Sequence, residues 1–395
     1  MAGLLNKLRM MDAAGKKPVP KEKNESLPYA HMHRKDHVYP VSLFADRRHA
    51  TPDILQKVFE CSFPAKVTPE DILFLDTETT GLSGGVGTVA FQIGLGYFTP
   101  AGFVVEQMLI HDYPQEAEML HLLEARMKRF PIICTFNGKS FDVPLLRSRM
   151  VMNRISDSSI PPVHADVLYP SRRLWKLRLR QCTLGHLENQ LLGVEREDDL
   201  PGAMVPQAYF QYLKDRDFAP MEKVLEHNRQ DIVSLAQLFY ELCRQMAQPE
   251  NVTQGEDLLS LARMCERTGD IARATKCYRL CAKGSTRPQA YRAMSVNAKR
   301  RGDCRTAVKL CRTMLSRGDD PIYAYEALAK LCEHQLHDPE QAMHYTRQAL
   351  LYLAEPSLNR SEETVAQQES LKHRYARLMR KLSADRTNSS ADSSM

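Results

Sequence analysis

The 395-residue sequence lacks the long apolar runs and the cysteine pairs that mark several classes of protein. No stretch approaches the roughly 18 apolar residues that a membrane-spanning helix requires. Residues 1–17 also lack the apolar centre of a secretory signal. The ten cysteines are scattered without a Cys-x-x-Cys pair, which argues against a zinc site and favours free thiols in a reducing compartment. We therefore expect a cytoplasmic protein that has no membrane partner.

Positive charge is plentiful but concentrated in one part of the chain. The formal net charge is +6. Residues 261–317 contain fifteen lysines and arginines against three acidic residues, a net charge of +12, so the rest of the chain carries a net charge of −6. A concentrated basic segment of this kind favours an acidic partner such as nucleic acid.

The pattern of apolar residues divides the chain into four parts. Residues 1–65 are polar, rich in lysine and interrupted by proline, and we predict a flexible basic N-terminal segment. Residues 66–248 have the order three strands, helix, strand, helix, strand, and then further helices. This order predicts an α/β domain with an RNase-H-like mixed five-stranded sheet and flanking helices. Residues 251–355 are helical, and residues 383–395, rich in Ser, Asp and Asn, are predicted to form a disordered tail.

The helical region after residue 251 contains internal repeats. The segment Arg-Thr-Gly-Asp that ends at Asp270 recurs as Arg-Arg-Gly-Asp ending at Asp303, a shift of 33 residues, and Asp338 belongs to a weaker third copy. An alanine follows each aspartate at the same distance: Ala274, Ala307 and Ala342. A period of about 34 residues with two helices per unit is typical of tetratricopeptide (TPR) repeats. Such an all-α TPR-like domain is expected to bind a protein partner; an ordinary helical bundle is the alternative.

Four acidic residues are placed in a way that suggests metal-dependent chemistry. Asp76 and Glu78 lie two residues apart at the end of a predicted strand, so their side chains share one face. Asp142 stands between a strand and a helix, and Asp231 lies one helical turn after His227. Phosphodiester hydrolysis is commonly catalysed by two divalent cations about 4 Å apart, and such a pair needs about four converging carboxylates. These residues therefore form a candidate catalytic metal site.

These motifs resemble those of the DEDD exonuclease superfamily. Over residues 70–350 the chain resembles the YprB-like proteins, which pair an RNase-H-like exonuclease domain with a TPR-like C-terminal region. Besides the segments around the carboxylates, the resemblance includes residues 171–175, 183–188 and 199–202. It implies a 3′→5′ exonuclease of nucleic acid that binds two divalent cations, Mg²⁺ or Mn²⁺, through four ligands: Asp76, Glu78, Asp142 and Asp231.

Two residues near this set need a separate interpretation. The superfamily has a water-orienting Tyr four residues before the last Asp, or a His five before it, whereas this chain has His227 at the tyrosine spacing. We expect His227 to be catalytic, either as the base or by orienting the attacking water. Asp166 also ends a predicted strand, and a structural capping role suits it better than that of a fifth ligand.

Basic residues outside the carboxylate set are candidates for nucleic-acid contacts. Residues 172–180 contain five cations, no acid and the only tryptophan, Trp175, which either offers a stacking face or lies buried. Aligning the repeats places basic residues in equivalent positions, which predicts a ladder on one helix face. A solvated outer surface is an equal alternative for both sets. The candidate residues are Arg172, Arg173, Lys176, Lys276, Arg279, Lys309 and Arg312.

Two other functions remain open at this point. In one, the protein is a non-catalytic adaptor whose repeats bind a protein partner and whose RNase-H-like domain is a scaffold. In the other, it binds nucleic acid without efficient cleavage. Affinity for divalent cations separates a nuclease from an adaptor, and salt-dependent binding to oligonucleotides separates a nucleic-acid-binding protein from an adaptor.

Overall fold

In the computed structural model the chain divides into two compact units after residue 251. The structure describes residues 31–81, 87–196, 200–355 and 362–392. The first unit contains a mixed sheet with flanking helices, and the second is helical. Within these ranges, no helix is both long and apolar enough to cross a lipid bilayer.

A six-stranded mixed sheet forms the centre of the first unit. Its strands are β1 (His33–Tyr39), β2 (Ile72–Thr79), β3 (Ala90–Thr99), β4 (Gly102–Leu109), β5 (Ile132–Thr135) and β6 (Val163–Asp166). Their order in the sheet is β1-β4-β3-β2-β5-β6. The pairs β1–β4, β4–β3 and β3–β2 are antiparallel, whereas β2–β5 and β5–β6 are parallel. The predicted mixed α/β architecture is confirmed.

The sheet has one strand more than the five that the sequence predicts. The additional strand, β1, lies within residues 1–65, which we expected to be flexible. It is mostly polar because it is an edge strand: backbone hydrogen bonds to β4 hold it, and most of its side chains are exposed. The chain continues into a 3₁₀ helix (Val41–His49), whose Phe44 packs on two phenylalanines of the sheet. The chain from β1 onward therefore belongs to the folded unit.

Seven α-helices in the described part of the first unit accompany this sheet. They are α1 (Pro52–Phe59), α2 (Glu116–Met127), α3 (Asp142–Met152), α4 (Leu168–Leu179), α5 (Leu184–Leu187), α6 (Val205–Asp215) and α7 (Ala219–Ala247). A π-helical turn, Glu188–Leu192, follows α5 directly. The longest helix, α7, crosses β2, β3 and β4 and carries part of the candidate site.

The two faces of the sheet contact different helices because side chains alternate along each strand. On one face, Phe91, Ile93 and Leu95 of β3 join an apolar core with residues of α2, α3 and α6. The other face of β3 presents Gly94 and Gly96 to α7, and a Cβ atom at either position would overlap a side chain of that helix. The two glycines therefore allow α7 to lie directly on the sheet.

The second unit consists of paired helices with a recurring cap. They are α8 (Gly255–Arg267), α9 (Ile271–Cys281), α10 (Arg287–Arg300), α11 (Cys304–Arg317), α12 (Pro321–His334) and α13 (Pro339–Leu353). Asp270, Asp303 and Asp338 precede the second helix of each pair, and each carboxylate accepts a hydrogen bond from the backbone N–H three residues later. The alanine four residues after each aspartate is fully buried. The sequence repeat is thus a repeated cap and a repeated close helix contact, and its assignment to the TPR class stays a prediction.

The last helix, α14 (Glu362–Asp392), runs through most of residues 383–395, which we expected to be disordered. Earlier in this helix, Leu371 and Leu378 are buried against the second unit. Once a helix is anchored, each further residue adds one backbone hydrogen bond without a new nucleation step. The polar composition of the tail therefore does not prevent a helix as far as Asp392.

Candidate active site

Three structural elements carry the four predicted metal ligands. Asp76 and Glu78 lie near the end of β2, on the strand face that meets α7. Asp142 is the first residue of α3, and Oγ1 of Thr77 donates a 2.6 Å hydrogen bond to its Oδ1. Asp231 lies on α7. Each carboxylate thus belongs to its own strand or helix, and the packing of α7 on the sheet brings Asp231 to the end of β2.

The carboxyl group of Asp76 lies at the centre of this cluster. Although the residue keeps some exposed surface, its carboxyl is enclosed by protein atoms. Its pKa is raised well above the usual range, first by loss of hydration and then by repulsion from Asp231, Asp142 and Glu78. Burial also raises the pKa of Asp142 to about 6, against the opposing hydrogen bond from Thr77. The structure therefore brings all four predicted ligands close enough to interact.

His227 of α7 lies beside two of these carboxylates. Its Nε2 is 3.5 Å from Oδ2 of Asp231 and 3.9 Å from Oε1 of Glu78. Potential ligand atoms of the three residues lie within 4.8 Å of one another. The histidine predicted to act in catalysis therefore lies beside the carboxylate cluster rather than on a remote helix face.

A cation of the chain itself, Arg196, reaches the same cluster. Its guanidinium donates to the buried carboxylate of Glu188 through Nε at 2.8 Å and Nη2 at 2.6 Å. Nη2 also donates to Oδ1 of Asp231, and Nη1 lies 3.1 Å from Nδ1 of His227. Sequence reasoning missed Arg196. The one sequence signal was indirect: Glu188, the partner of Arg196, lies in the segment 183–188 that resembles the YprB-like proteins.

Two amide side chains hold the carboxylate of Asp76 in place, Asn228 by direct contact and Gln107 through Asn228. Nδ2 of Asn228 donates to Oδ2 of Asp76 at 2.9 Å, while Oδ1 of Asn228 accepts from Nε2 of Gln107 at 3.0 Å. Gln107 also donates to the backbone oxygen of Leu225 at 2.8 Å. In the strand register Asp76, Gly94 and Gln107 lie side by side, so the missing side chain of Gly94 leaves the space that Asn228 fills. These positioning residues were not predicted from the sequence.

The donor set fits divalent cations. Carboxylate oxygens are the ligands that Mg²⁺ and Mn²⁺ prefer, and bound cations would relieve the repulsion that raises the pKa of Asp76. Gln92 pairs in register with Glu78, is fully buried, and has no hydrogen-bond partner for its amide among the described residues. A buried amide without a partner costs roughly 1–3 kcal/mol, which fits a site that takes up water or a ligand next to Glu78.

Asp166 has a structural role, as the sequence suggested. Its carboxylate accepts backbone hydrogen bonds from Asn137 at 2.8 Å, Lys139 at 3.0 Å and Leu168 at 3.1 Å. Asn137 has a φ of 68°, the left-handed conformation that turns the chain toward α3. Asp166 therefore fixes the turn that delivers Asp142 and is not needed as a ligand.

The basic helix α4 only partly matches the nucleic-acid surface that we expected. Arg172 and Lys176 are exposed. Arg173 instead donates to the backbone oxygen of Val58 at 2.8 Å and pairs with Glu60 at 3.6 Å. Trp175 is fully buried and offers no stacking face. The inner side of α4 thus packs on α1, which removes Arg173 and Trp175 from the candidate contacts.

The predicted basic positions of the repeats are all on the surface. Lys276 and Arg279 of α9 are exposed, as are Lys309 and Arg312 of α11. The equivalent positions of α13 are exposed as well: His344 and Arg347. These exposures agree with the predicted ladder and equally with a solvated surface, so the nucleic-acid role of the ladder remains to be tested.

The comparisons with known proteins agree with this fold. Residues 73–243 match the family model of the RNase H superfamily. The chain is 29% identical over 323 residues to the uncharacterized protein YprB of Bacillus subtilis (strain 168). The aligned region covers 80% of this chain and 76% of that protein. The predicted RNase-H-like fold and the resemblance to YprB-like proteins are therefore confirmed.

A solved structure aligns with part of this chain. It is the family B DNA polymerase from the hyperthermophilic archaeon Pyrobaculum calidifontis, at 14% identity and a TM-score of 0.35. The alignment covers 50% of this chain and spans 29% of the polymerase chain.

Proposed function

We propose that the RNase-H-like domain is a divalent-cation-dependent nuclease that hydrolyses phosphodiester bonds as a 3′→5′ exonuclease. The observation that carries this proposal is the convergence of four carboxylates from β2, α3 and α7 around the enclosed Asp76. Such a cluster disfavours folding unless cations neutralise it, and unfavourable clusters of this kind are concentrated at functional sites. The direction of attack rests on the DEDD resemblance.

Each residue of the cluster has a task in this proposal. Asn228 and Thr77 hold the carboxylates of Asp76 and Asp142 in place before a substrate arrives. His227 presents its Nε2 between two ligands, where a scissile phosphate would approach. When bound, two divalent cations supply the Lewis acidity that activates water and screens the phosphate charge. The residues that would hold these cations are Asp76, Glu78, Asp142 and Asp231.

Exposed basic side chains supply the nucleic-acid contacts in this proposal. Arg172 and Lys176 serve the nuclease domain, and a four-residue basic set serves the repeats: Lys276, Arg279, Lys309 and Arg312. Each phosphate contact contributes about 0.7 to the salt dependence of binding to a single strand. Changing all four repeat residues to Gln should therefore lower the logarithmic salt slope by up to about 3. An unchanged slope, measured with labelled single strands between 50 and 200 mM salt, would assign these residues to a solvated surface.

Cleavage of labelled nucleic acid tests the proposed activity. The full-length chain is incubated with 5′-labelled single-stranded DNA or RNA and Mg²⁺ or Mn²⁺. Asp76→Asn is the test variant, and Asp53→Asn, at a largely exposed carboxylate of α1, is the matched control. We expect a cation-dependent ladder of shortened products that Asp76→Asn abolishes and Asp53→Asn retains. A circular single strand should remain intact because an exonuclease needs an end.

The pattern of outcomes separates the alternatives. Cleavage of the circle would replace the exonuclease by an endonuclease. No cleavage of any polymer, together with no calorimetric binding of Mn²⁺, would contradict the nuclease proposal and favour an adaptor. Preference for DNA or RNA in the same assay identifies the substrate class.

A further inference from the structure

Arg196 is not one of the proposed metal ligands or nucleic-acid contacts, although it contacts both Asp231 of the cluster and His227. Glu188 holds the guanidinium through two hydrogen bonds, which leaves Nη1 directed at Nδ1 of His227 at 3.1 Å. Both charged side chains are largely withdrawn from solvent, Glu188 completely and Arg196 to an exposed fraction of 16%. The arginine is therefore held in a defined orientation against the imidazole.

The contact between Arg196 and His227 determines where the imidazole carries its proton. A guanidinium has only N–H donors and does not lose its charge in proteins, so Nδ1 of His227 must be the acceptor. A neutral imidazole carries one proton, which then lies on Nε2. The contact with the guanidinium thus requires the Nε2–H tautomer.

We propose that Arg196 is a positioning residue that fixes His227 as the Nε2–H tautomer, so that His227 donates a hydrogen bond to an oxygen of the attacking water or phosphate and does not take the proton of the water. The catalytic part of this inference rests on the proposed nuclease function, whereas the tautomer follows from the geometry alone. It decides between the two roles that the sequence left open for His227.

The consequence for the reaction is specific. The lone pair of Nδ1 is directed at Arg196, and Nε2 already carries a proton, so neither nitrogen can accept a proton from water without breaking the contact. A fixed N–H near a developing negative charge typically contributes a factor of about 100 to 1,000 in rate. A glutamine at position 227 can present an amide N–H in place of Nε2–H but is no base. It therefore separates donation from proton abstraction.

Nitrogen NMR of the histidine rings tests the tautomer without any need for activity. The full-length chain is labelled with ¹⁵N-histidine, and the signals of His227 among the thirteen histidines are identified by their loss in His227→Gln. We expect a single neutral form protonated at Nε2, both without cation and with Mg²⁺. In Arg196→Gln we expect a mixture in which Nδ1 is protonated part of the time. Arg147→Gln, at an exposed arginine of α3, should leave the His227 signals unchanged.

Replacing Arg196 alone leaves the buried Glu188 without its partner and can destabilise the fold. The paired variant Glu188→Gln/Arg196→Gln removes both charges together and gives the same readout. A His227 protonated at Nδ1 in the wild-type chain would overturn the proposal directly. Identical tautomers in the wild-type chain and in the paired variant would overturn the role of Arg196.

Kinetics complete the test. If His227 donates, His227→Gln should lose about tenfold in rate and His227→Leu about 100-fold or more. Equal losses in the two variants would overturn the donor role. If the wild-type chain cleaves nothing while its NMR signals are as expected, the proposed nuclease function fails and the tautomer assignment is supported.

Discussion

Two aspartates near the carboxyl ends of two parallel strands, β2 and β6, show how differently the same residue can be used. Asp76 lies near the end of β2 and Asp166 is the last residue of β6, and both carboxyl groups are enclosed by protein. Asp166 accepts three backbone hydrogen bonds, which satisfy its charge. Asp76 accepts one from Asn228 and otherwise faces three carboxylates. Burial is common to both, and only the partners distinguish them.

The partners indicate opposite energetic roles. Three N–H donors stabilise the ionised Asp166, so this residue strengthens the fold. Three like charges destabilise the ionised Asp76, so the fold holds this residue at a cost that an external cation would offset. A buried carboxylate that lacks compensation inside the protein is therefore the stronger indicator of a functional site.

The largest expected effect is on cleavage by Asp76→Asn. The substitution keeps the shape of the side chain but removes the charge at the centre of the cluster, which should cost several kcal/mol of transition-state stabilisation. We expect the rate with Mg²⁺ or Mn²⁺ to fall by about a thousandfold or more. Asp166→Asn should retain a measurable rate in the same assay. Comparable losses of rate in the two variants would contradict the assignment of Asp76 as a metal ligand and of Asp166 as a structural residue.

The same two variants should change stability in opposite directions. Without divalent cations, Asp76→Asn relieves repulsion and should raise the free energy of unfolding by about 1 kcal/mol. Asp166→Asn weakens three charge-assisted hydrogen bonds and should lower it by about 3 kcal/mol. Urea denaturation in the presence of a chelator measures both. Destabilisation by Asp76→Asn would show that repulsion does not dominate at the cluster.

The parts of the site that the sequence predicts are those with local signals. Asp76 and Glu78 occupy alternate positions of one strand, and His227 and Asp231 are one helical turn apart, so spacing alone places each pair on one face. Asp142 follows a strand and starts a helix. Each of these features is read within a few residues, and together they predict the cluster that the structure contains.

The missed parts depend on relations between distant segments. The bond between Asn228 and Gln107 requires the register of three strands and a glycine between them, and no local pattern fixes that register. Arg196 meets Asp231 from an irregular segment. The edge strand β1 was missed for another reason: backbone pairing holds it, so its side chains lack the apolar alternation by which strands are recognised.

Gly94→Ala tests whether cleavage depends on the exact position of Asp76. Its Cβ would overlap Oδ1 of Asn228, so Asn228 must shift and release Asp76. We expect a loss of about 1–2 kcal/mol in stability and a fall in the cleavage rate of about tenfold, because a small displacement of a catalytic group is enough. Gly202→Ala is the matched control, since a Cβ there meets nothing within 4 Å. A normal rate in Gly94→Ala would remove Asn228 from the positioning residues.

The smallest expected effect concerns the pH dependence of stability in the cation-free chain. Burial raises the pKa of Asp142 to about 6, above its value of about 4 in the unfolded chain. The folded state therefore binds the proton more tightly, and the stabilisation is present at low pH and lost as the pH rises through 6. Between pH 5 and 7 this amounts to about 1 kcal/mol.

Because other groups titrate in the same range, the quantity to measure is the difference between the wild-type chain and Asp142→Asn at each pH. That difference should favour the wild-type chain more at pH 5 than at pH 7 in a chelator, and the order should reverse with saturating Mg²⁺ or Mn²⁺, because only the ionised carboxylate binds a cation. A difference independent of pH would mean that the charge of Asp142 is already compensated inside the protein.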